Sequence, residues 1–195
     1  MKEVVQFYTK KYEKYGKKIN AIGWSNKKDQ ITRFKKLFIN ISPKNKSILD
    51  VGCGFGDLYY YLKKNHKKNF NYTGIDITPD FATHAKKRLN FSNAKIYNCN
   101  ISKLNKKFDI VVASGSLSYK FKGSKKYNLE LIKKMFKKTN EVLSINFLSS
   151  YNTYQLNKNI HYKPEEMFTF AKQISPRVNI IHDYELYEFT LQIYK

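Results

Sequence analysis

Short apolar runs alternate with segments of helical periodicity from residue 47 to residue 175. The runs have the length of buried strands, and FDIVVASG is apolar almost throughout, as expected of a strand covered on both faces. Between them, apolar residues recur at helical spacing, and Pro79 and Pro164 stand in predicted first turns of helices. The predicted strands are 47–52, 72–77, 94–100, 108–115 and 142–148. The predicted helices are 56–65, 79–89, 126–138 and 164–174. This alternation predicts a parallel sheet.

The two ends of the chain differ from this alternating pattern. Apolar residues at helical spacing predict helices at 2–15 and 27–40 before the first strand. The segment 177–195 has two strand-like runs whose connection is too short for a parallel crossover, so it predicts an antiparallel hairpin. The predicted fold is therefore a single α/β domain over 1–195. Its doubly wound, seven-stranded sheet is mostly parallel and lies in the middle of three α/β/α layers.

The charge is strongly positive, and two interpretations compete. The formal net charge is +22, with 34 lysines against 3 arginines. Such a charge is typical of nucleic-acid binders, but those would be expected to use more arginine, which binds phosphate and guanine bidentately. The lysines are scattered along the whole chain and asparagine is abundant, which is also typical of A/T-rich codons. Charge alone specifies partners poorly, and we favour the codon interpretation.

Other compositional features narrow the class of protein. The N-terminal segment has no apolar core of a signal peptide and no apolar run approaches the length of a membrane span, so we expect a cytoplasmic protein without a membrane partner. Cys53 and Cys99 do not form a C-x-x-C pair, and no His/Cys cluster has metal-site spacing. We therefore expect two reduced thiols and no metal. A monomer and a homodimer are both compatible with the sequence.

The glycine-rich segment DVGCGFGDL follows the first predicted strand. Such turns bind nucleotides, and a dinucleotide fingerprint needs G-x-G-x-x-G. Here the third glycine, Gly56, comes one residue early, and Asp57 places a negative charge at a helix N-terminus, where it opposes a pyrophosphate. A ligand without phosphates, such as S-adenosylmethionine, suits this turn better. Asp76, at the end of the second strand, can accept both ribose hydroxyls, and the adjacent Ile77 can pack on adenine.

These segments resemble the motifs of class I S-adenosylmethionine-dependent methyltransferases. ILDVGCGFGDL, YTGIDITPD and FDIVVASGSL carry the resemblance over 47–119, and the C-terminal hairpin resembles the last strands of that Rossmann-like fold. AIGWSNKKDQITRF, NFLSSY and HDYELYEFTLQIYK are similar to a small bacterial subgroup with an N-terminal helical cap. The resemblance implies a cap over 1–42 and a core over 43–195. It also implies S-adenosylmethionine as the methyl donor and S-adenosylhomocysteine as the product.

The resemblance also implies roles for individual residues in cofactor binding. Asp50 would face the methionine amino group through water, and Asp76 the ribose hydroxyls. Asn100 stands where the family often has an aspartate that holds the adenine amino group, although it could equally cap a loop. The other implied cofactor residues are Gly52, Cys53, Gly54 and Gly56 in the glycine-rich turn, Cys99 and Ile101 beside adenine, and Ser114 and Gly115 beside the methyl group.

The methyl acceptor is less constrained by the sequence. An oxygen acceptor of high pKa needs a general base, whereas an amine needs only to be unprotonated. The first candidate base is His161, in the loop before the last helix, which could equally be a solvated loop histidine. Tyr119 and Tyr151 are the other candidates, and His182 is a further one that could be purely structural. In the predicted cap, Trp24 could form a wall of the site or equally pack against the helix 27–40. Arg33 could bind the cofactor carboxylate or an acidic acceptor, or equally be a surface arginine.

Our interpretation is a methyltransferase that acts on an oxygen or nitrogen of a small molecule, such as a sugar or an acidic metabolite. A tRNA or rRNA methyltransferase is the main rival, because of the charge. However, SGSLSY after the fourth strand lacks the [Asn/Asp]-Pro-Pro-[Tyr/Phe] motif of enzymes that methylate nucleobase amino groups. A non-catalytic S-adenosylmethionine-binding module is the rival from another class.

Overall fold

A computed structural model describes residues 2–66, 69–184 and 187–195. Its centre is one seven-stranded sheet, and the predicted α/β fold with a mostly parallel sheet is confirmed. The strands are β1 (Ser47–Val51), β2 (Asn71–Asp76), β3 (Ala94–Asn98), β4 (Phe108–Ala113), β5 (Thr139–Leu148), β6 (Val178–Ile181) and β7 (Glu188–Tyr194).

The order of strands across the sheet is β3-β2-β1-β4-β5-β7-β6. The first five strands are parallel, whereas β7 is antiparallel to both β5 and β6. The C-terminal pair is therefore the predicted hairpin, and β7 is inserted between β5 and β6; part of its connection, 185–186, lies outside the described residues. The strand order reverses between β1 and β4, which is where open α/β sheets bind their ligands.

Helices cover both faces of this sheet. They are α1 (Lys2–Tyr15), α2 (Lys27–Leu37), α3 (Asp57–His66), α4 (Pro79–Arg88), α5 (Ser124–Lys137) and α6 (Pro164–Lys172), with a short 3-10 helix at Ile101–Lys103. One face packs Ile48, Ile110 and Val142 with residues of α2, α3 and α4. The other packs Val111 and Leu143 with residues of α5 and α6. Burial on both faces explains why β1 and β4 are apolar almost throughout.

Local hydrogen bonds account for the largest boundary differences from the prediction. Helix α2 ends at Leu37 rather than residue 40, because the Phe38 N–H bonds the carbonyls of Lys35 and Lys36 and Asn40 has a left-handed φ of 58°. Strand β5 begins at Thr139, three residues earlier than predicted, because the backbone there still pairs with Phe108 of β4. Apolar periodicity does not report pairing of this kind.

Within the ranges that the structure describes, no helix is long and apolar enough to cross a membrane. The same ranges contain no cluster of His, Cys, Asp and Glu side chains that could hold a metal ion.

Candidate active site

A cleft opens at the carboxyl ends of β1, β2 and β4, beside the point where the strand order reverses. It encloses about 1100 Å³ of empty space, including open solvent at its mouth. Every residue predicted to bind the cofactor lines this cleft except Gly56. Those that line it are Asp50, Gly52, Cys53, Gly54, Asp76, Ile77, Cys99, Asn100, Ile101, Ser114 and Gly115.

The glycine-rich turn needs its glycines for two different physical reasons. Gly52 has a φ of 78°, its N–H bonds the Ile75 carbonyl at 2.8 Å, and a Cβ there would lie 2.5 Å from the Cβ of Ser116. The backbone therefore crosses close to the loop after β4, inside the cleft. Gly56 has a φ of 77° and lies against Leu89. A Cβ added at Gly56 would lie well under 3.0 Å from the Leu89 Cδ1, closer than real Cβ atoms approach other atoms. Its place is the contact between the turn and the end of α4.

Asp76 lies in the floor of the cleft with its carboxylate held by the backbone. One oxygen accepts from the Gly54 N–H at 2.9 Å and the other from the Thr78 N–H at 2.8 Å. Burial raises the pKa of this carboxyl, and the hydrogen bonds from Thr78 and Gly54 oppose that rise. The side chain thus links the glycine-rich turn to the end of β2, and it lines the cleft.

Asp50 is a second buried acid, at the end of β1. Its carboxylate accepts a 2.6 Å hydrogen bond from the Tyr72 hydroxyl. Burial raises its pKa to about 7, the Tyr72 hydrogen bond lowers it, and the nearby Asp76 and Asp57 add to the rise. A positively charged group bound beside Asp50 would favour the ionised form, because opposite charges lower the pKa of an acid.

Asp57 lies at the first turn of α3, and it is not among the residues lining the cleft. Its carboxylate pairs with Arg88 at 3.2 Å and Lys27 at 3.3 Å, and accepts from the Gln30 amide at 3.2 Å. The charge expected to oppose a pyrophosphate is therefore partly neutralised by cations. Asp57 instead joins α2 and α4 to the turn.

Asn100 lies at the adenine side of the predicted pocket. Its side-chain oxygen accepts from the Ser102 N–H at 3.0 Å and so caps the 3-10 helix, while the residue also lines the cleft. Both interpretations of Asn100 are thus compatible with its position, since a carbonyl oxygen has two lone pairs.

The segment before β1 forms the roof of the cleft. Val4 and Tyr8 of α1 line it, as do Ile22 and Trp24 of the following loop. Burial is the main reason that the pKa of Tyr8 is raised to about 12, with smaller contributions from Asp76 and Tyr119. The phenol of Tyr8 therefore keeps its proton at neutral pH and faces the cleft as a hydrogen-bond donor.

Arg33 is neither a surface arginine nor a lone cation in the main cleft. Its guanidinium binds the Glu188 carboxylate through Nε and Nη2 and lies 4.2 Å from the centre of the Trp24 ring. Glu188 begins β7, so the pair ties α2 to the start of that strand, while the guanidinium also packs on the Trp24 ring. Arg33 also lines a smaller pocket with Gly115 and Asn146, adjacent to the main cleft.

The candidate bases lie at different distances from the cleft. Tyr119 lines it, with its ring stacked 4.2 Å from that of Phe7, whereas His161, Tyr151 and His182 are not among the lining residues. Burial, and then Lys120, lower the pKa of His161, so this imidazole is neutral at pH 7. Tyr151 is exposed, its hydroxyl is 3.5 Å from Glu165, and its ring lies 6.0 Å from that of His182.

Several residues that line the cleft were absent from the sequence prediction. They include Tyr8, Gln30, Phe81, Tyr127 and Asn128. The apolar stripe of α1 was a usable signal for Tyr8, because an amphipathic helix must cover some other part of the protein. Periodicity does not say which part, so the stripe predicted the helix without its place over the cleft.

A parallel sheet with a glycine-rich turn after β1 and a buried acid at the end of β2 defines a Rossmann-like domain that binds a nucleoside-containing cofactor. A family model described as a methyltransferase domain matches residues 42–189. A relative from Mycobacterium tuberculosis, named "Putative methyltransferase Rv1506c", is 31% identical over 156 residues, which cover 76% of this chain and 93% of the relative.

Solved methyltransferase structures have the same fold. The N-methyltransferase NodS from Bradyrhizobium japonicum WM9, in complex with S-adenosylhomocysteine, aligns with a TM-score of 0.67 and 14% identity over 97% of this chain and 98% of its own. The magnesium protoporphyrin IX methyltransferase of Synechocystis PCC 6803, with bound S-adenosylmethionine, aligns with a TM-score of 0.63 and 15% identity over 86% of this chain and 78% of its own.

The chain belongs to the methyltransferase domain family. The predicted class, a class I S-adenosylmethionine-dependent methyltransferase with S-adenosylmethionine as the methyl donor, is confirmed.

Proposed function

We propose that the protein transfers the methyl group of S-adenosylmethionine to an oxygen or nitrogen of a small-molecule acceptor. The observation that carries the proposal is the roofed cleft: Val4, Tyr8, Ile22 and Trp24 enclose the space above the glycine-rich turn. Apolar and polar side chains together line the enclosed space, as is typical of small-molecule sites.

The buried side chains fit the chemical groups of the cofactor. Asp76 presents a carboxylate for the ribose hydroxyls, and Asp50 presents one for the methionine amino group. Ile77 and Ile101 offer apolar surface to adenine, and Asn100 offers an acceptor for its amino group. The positive φ of Gly52 and Gly54 lets the backbone approach this ligand closely.

When bound, the cofactor supplies a methyl group already activated by the sulfonium. The protein then has to orient the acceptor in line and exclude water, which accounts for much of the rate in such reactions. In the proposed reaction, Trp24, on which Arg33 packs, and the roof formed by α1 shield the methyl group from solvent. If the acceptor is a hydroxyl, Tyr119 is the proposed base that already lines the cleft, and His161 is neutral and next to the same loop.

One structural neighbour is named for a small-molecule acceptor, magnesium protoporphyrin IX. This likeness shows a shared fold at 15% identity and supports only the broad class of acceptor. The net charge of +22 is the feature that an RNA methyltransferase would explain better. The fraction of a cell extract that receives the methyl group therefore distinguishes the two functions.

The cofactor site is tested by Asp76→Asn, with Asp109→Asn as the matched control. Asp109 accepts from the Ser47 N–H and hydroxyl, both at 2.8 Å. The two residues lie at the amino ends of β4 and β1, whereas the cleft is at the carboxyl ends of the strands. Losing charge-assisted hydrogen bonds to the ribose should weaken S-adenosylhomocysteine binding by about tenfold or more in calorimetry. Asp109→Asn should leave that affinity within about twofold. Equal affinities of both variants would contradict the assignment of Asp76.

The acceptor class is tested with S-adenosylmethionine labelled in the methyl group. Wild-type protein is incubated with the ultrafiltered small-molecule fraction and, separately, with the RNA fraction of a cell extract. Label in the small-molecule fraction supports the proposal, and label in RNA alone overturns it. Tight cofactor binding with no label in either fraction would instead indicate a binding module without catalysis.

A further inference from the structure

The smaller pocket beside the cleft lies between the loop after β4, the end of β5 and the start of β7. We call it the side pocket, and its polar lining residues are Arg33, Ser118, Asn146 and Glu188. Gly115 lines both the side pocket and the cleft, so the two spaces meet where the proposed function places the methyl group. The space inside the side pocket is about 20 Å³, enough for about one water-sized group. It therefore suits one small substituent of a molecule that lies in the cleft.

The side pocket is strongly polar but carries no net charge from the residues described. The Arg33 guanidinium donates to the Glu188 carboxylate through Nε and Nη2. The two side chains are 19% and 2% exposed, so water screens the pair only weakly. Among the described residues that line the side pocket, these two are the charged ones, and their charges cancel.

Stability alone does not explain an ion pair at this place. Loss of hydration offsets most of the attraction in a buried ion pair, and apolar residues of similar volume are often as stable. A guanidinium has five N–H donors, of which Glu188 engages two, whereas a carboxylate only accepts. The wall of the side pocket thus presents a donor and an acceptor next to each other.

A chain of hydrogen bonds joins the side pocket to the cleft. Ser114, which lines the cleft, donates to the Asn146 amide oxygen at 2.9 Å. The Asn146 amide nitrogen donates to the Thr190 hydroxyl at 2.7 Å, and the Tyr184 hydroxyl lies 3.1 Å from that same hydroxyl. Asn146 and Thr190 are both buried. The chain therefore holds the Asn146 amide in one orientation on the wall of the side pocket.

The pairing of Arg33 with Glu188 restricts which chemical group fits. A carboxylate in the side pocket would meet Glu188, and an ammonium would meet Arg33, so either ion would face a like charge. A hydroxyl group can donate to a carboxylate and accept from a guanidinium at the same time. A carboxamide has both functions as well, but it is larger than one water-sized group.

We propose that the side pocket binds a hydroxyl group of the methyl acceptor, between Arg33, Glu188 and Asn146. The acceptor is then a hydroxylated molecule, such as a sugar or another polyol, rather than an acid. The proposal rests on the proposed function, since it assigns the side pocket to the acceptor of the methyl group. The hydroxyl in the side pocket is distinct from the oxygen or nitrogen that receives the methyl group in the cleft.

The test uses full-length protein saturated with S-adenosylhomocysteine and three probes that share one ring. Cyclohexanol carries a hydroxyl, cyclohexanecarboxylate an anion and protonated cyclohexylamine a cation. Ligand-observed NMR at neutral pH and fixed ionic strength measures their affinities. Wild type should bind cyclohexanol about tenfold more tightly than either ion, because each ion meets a like charge. Either ion bound as tightly as cyclohexanol overturns the proposal.

Glu188→Gln changes the charge of the side pocket with little change in its shape. Because Arg33 then lacks a carboxylate partner, the variant should bind cyclohexanecarboxylate about tenfold more tightly than wild type does. The matched control is Glu141→Gln, since the half-exposed Glu141 pairs with Lys46 on the surface. This control should stay within about twofold of wild type for every probe. An equal gain in the control, or no gain in folded Glu188→Gln, overturns the proposal.

A second pair of variants tests the side pocket if Glu188→Gln does not fold. Asn146→Leu and Thr190→Val both break the hydrogen bond between Asn146 and Thr190, but only Asn146 lines the side pocket. The affinity for cyclohexanol should fall about tenfold in Asn146→Leu and stay within about twofold in Thr190→Val. Equal losses in the two variants would make the hydrogen-bond chain purely structural and the proposal wrong.

Cofactor binding distinguishes a failure of this proposal from a failure of the proposed function. The affinity for S-adenosylhomocysteine should stay within about twofold of wild type in Glu188→Gln and Asn146→Leu. If that affinity falls in either variant while probe binding does not change, the side pocket serves the cofactor and the proposal is wrong. Failure of wild type to bind S-adenosylhomocysteine would contradict the proposed function instead.

Discussion

Replacing Gly56 by alanine should destabilise the protein by about 1–4 kcal/mol without removing the cofactor site. Two effects contribute. A non-glycine residue at the φ of 77° costs about 1–2 kcal/mol, and the new Cβ overlaps Leu89, whose Cδ2 would be only 3.3 Å away and whose Cδ1 is closer still. Overpacking of this kind costs about 1–3 kcal/mol. Restriction of the unfolded chain offsets about 0.4–1 kcal/mol.

Gly123→Ala is the matched control for the backbone effect. Gly123 has a φ of 81°, and a Cβ there would meet nothing within 4 Å. Its net cost should therefore be only about 0–1.5 kcal/mol, the backbone cost less the unfolded-state gain. The difference between the two variants isolates the overlap with Leu89.

Urea denaturation of wild type and both variants measures this difference, and calorimetry with S-adenosylhomocysteine measures the site. Gly56→Ala should be about 1–3 kcal/mol less stable than Gly123→Ala. The affinity of the folded protein should change by less than about threefold, because Gly56 does not line the cleft. If Gly56→Ala proves no less stable than its control, Leu89 moves aside freely and the packing argument fails. A large loss of affinity at full stability would return Gly56 to the cofactor site.

Three further outcomes are expected. Gly52→Ala should abolish detectable S-adenosylhomocysteine binding in calorimetry, because its Cβ would lie 2.5 Å from the Cβ of Ser116 inside the cleft; retained affinity would show that this loop adapts. Arg33→Met should lower the free energy of unfolding by about 3–5 kcal/mol in urea denaturation, since it leaves the buried Glu188 carboxylate unpaired. Arg33→Met combined with Glu188→Gln should recover part of that loss. Equal losses in the single and the double variant would contradict the importance of the pair. The pKa of Asp50 is raised to about 7, so between pH 4 and 7 the folded state binds a proton that the unfolded state has released. The free energy of unfolding should therefore fall by up to about 1.4 kcal/mol for each unit by which the pH rises over this range. Asp50→Asn should remove this slope, and an unchanged slope would refute its attribution to Asp50.

Local pattern was sufficient for most of the fold and for the floor of the site. The strands β1 and β4 are continuous apolar runs, and the glycine-rich turn and Asp76 directly follow strands, so chain order alone placed them at one edge of a parallel sheet. These features depend on interactions between residues that are near in sequence or on a fixed sheet geometry. That is why the cofactor class was predictable from the sequence.

The roof and the mouth of the cleft depend on contacts between distant segments. Arg33 and Glu188 are 155 positions apart, and the sequence has no signal that pairs that cation with that acid among many. The bridge of Tyr119 with Asn159 and the stack of Phe7 on Tyr119 likewise join three separate segments. Amphipathic periodicity predicted the helix α1, and the family resemblance implied a cap over 1–42. The contacts that hold α1 against the loop after β4 come only from packing of the whole chain. Burial in that tertiary environment, which the sequence does not encode locally, also raises the pKa values of Asp50 and Tyr8.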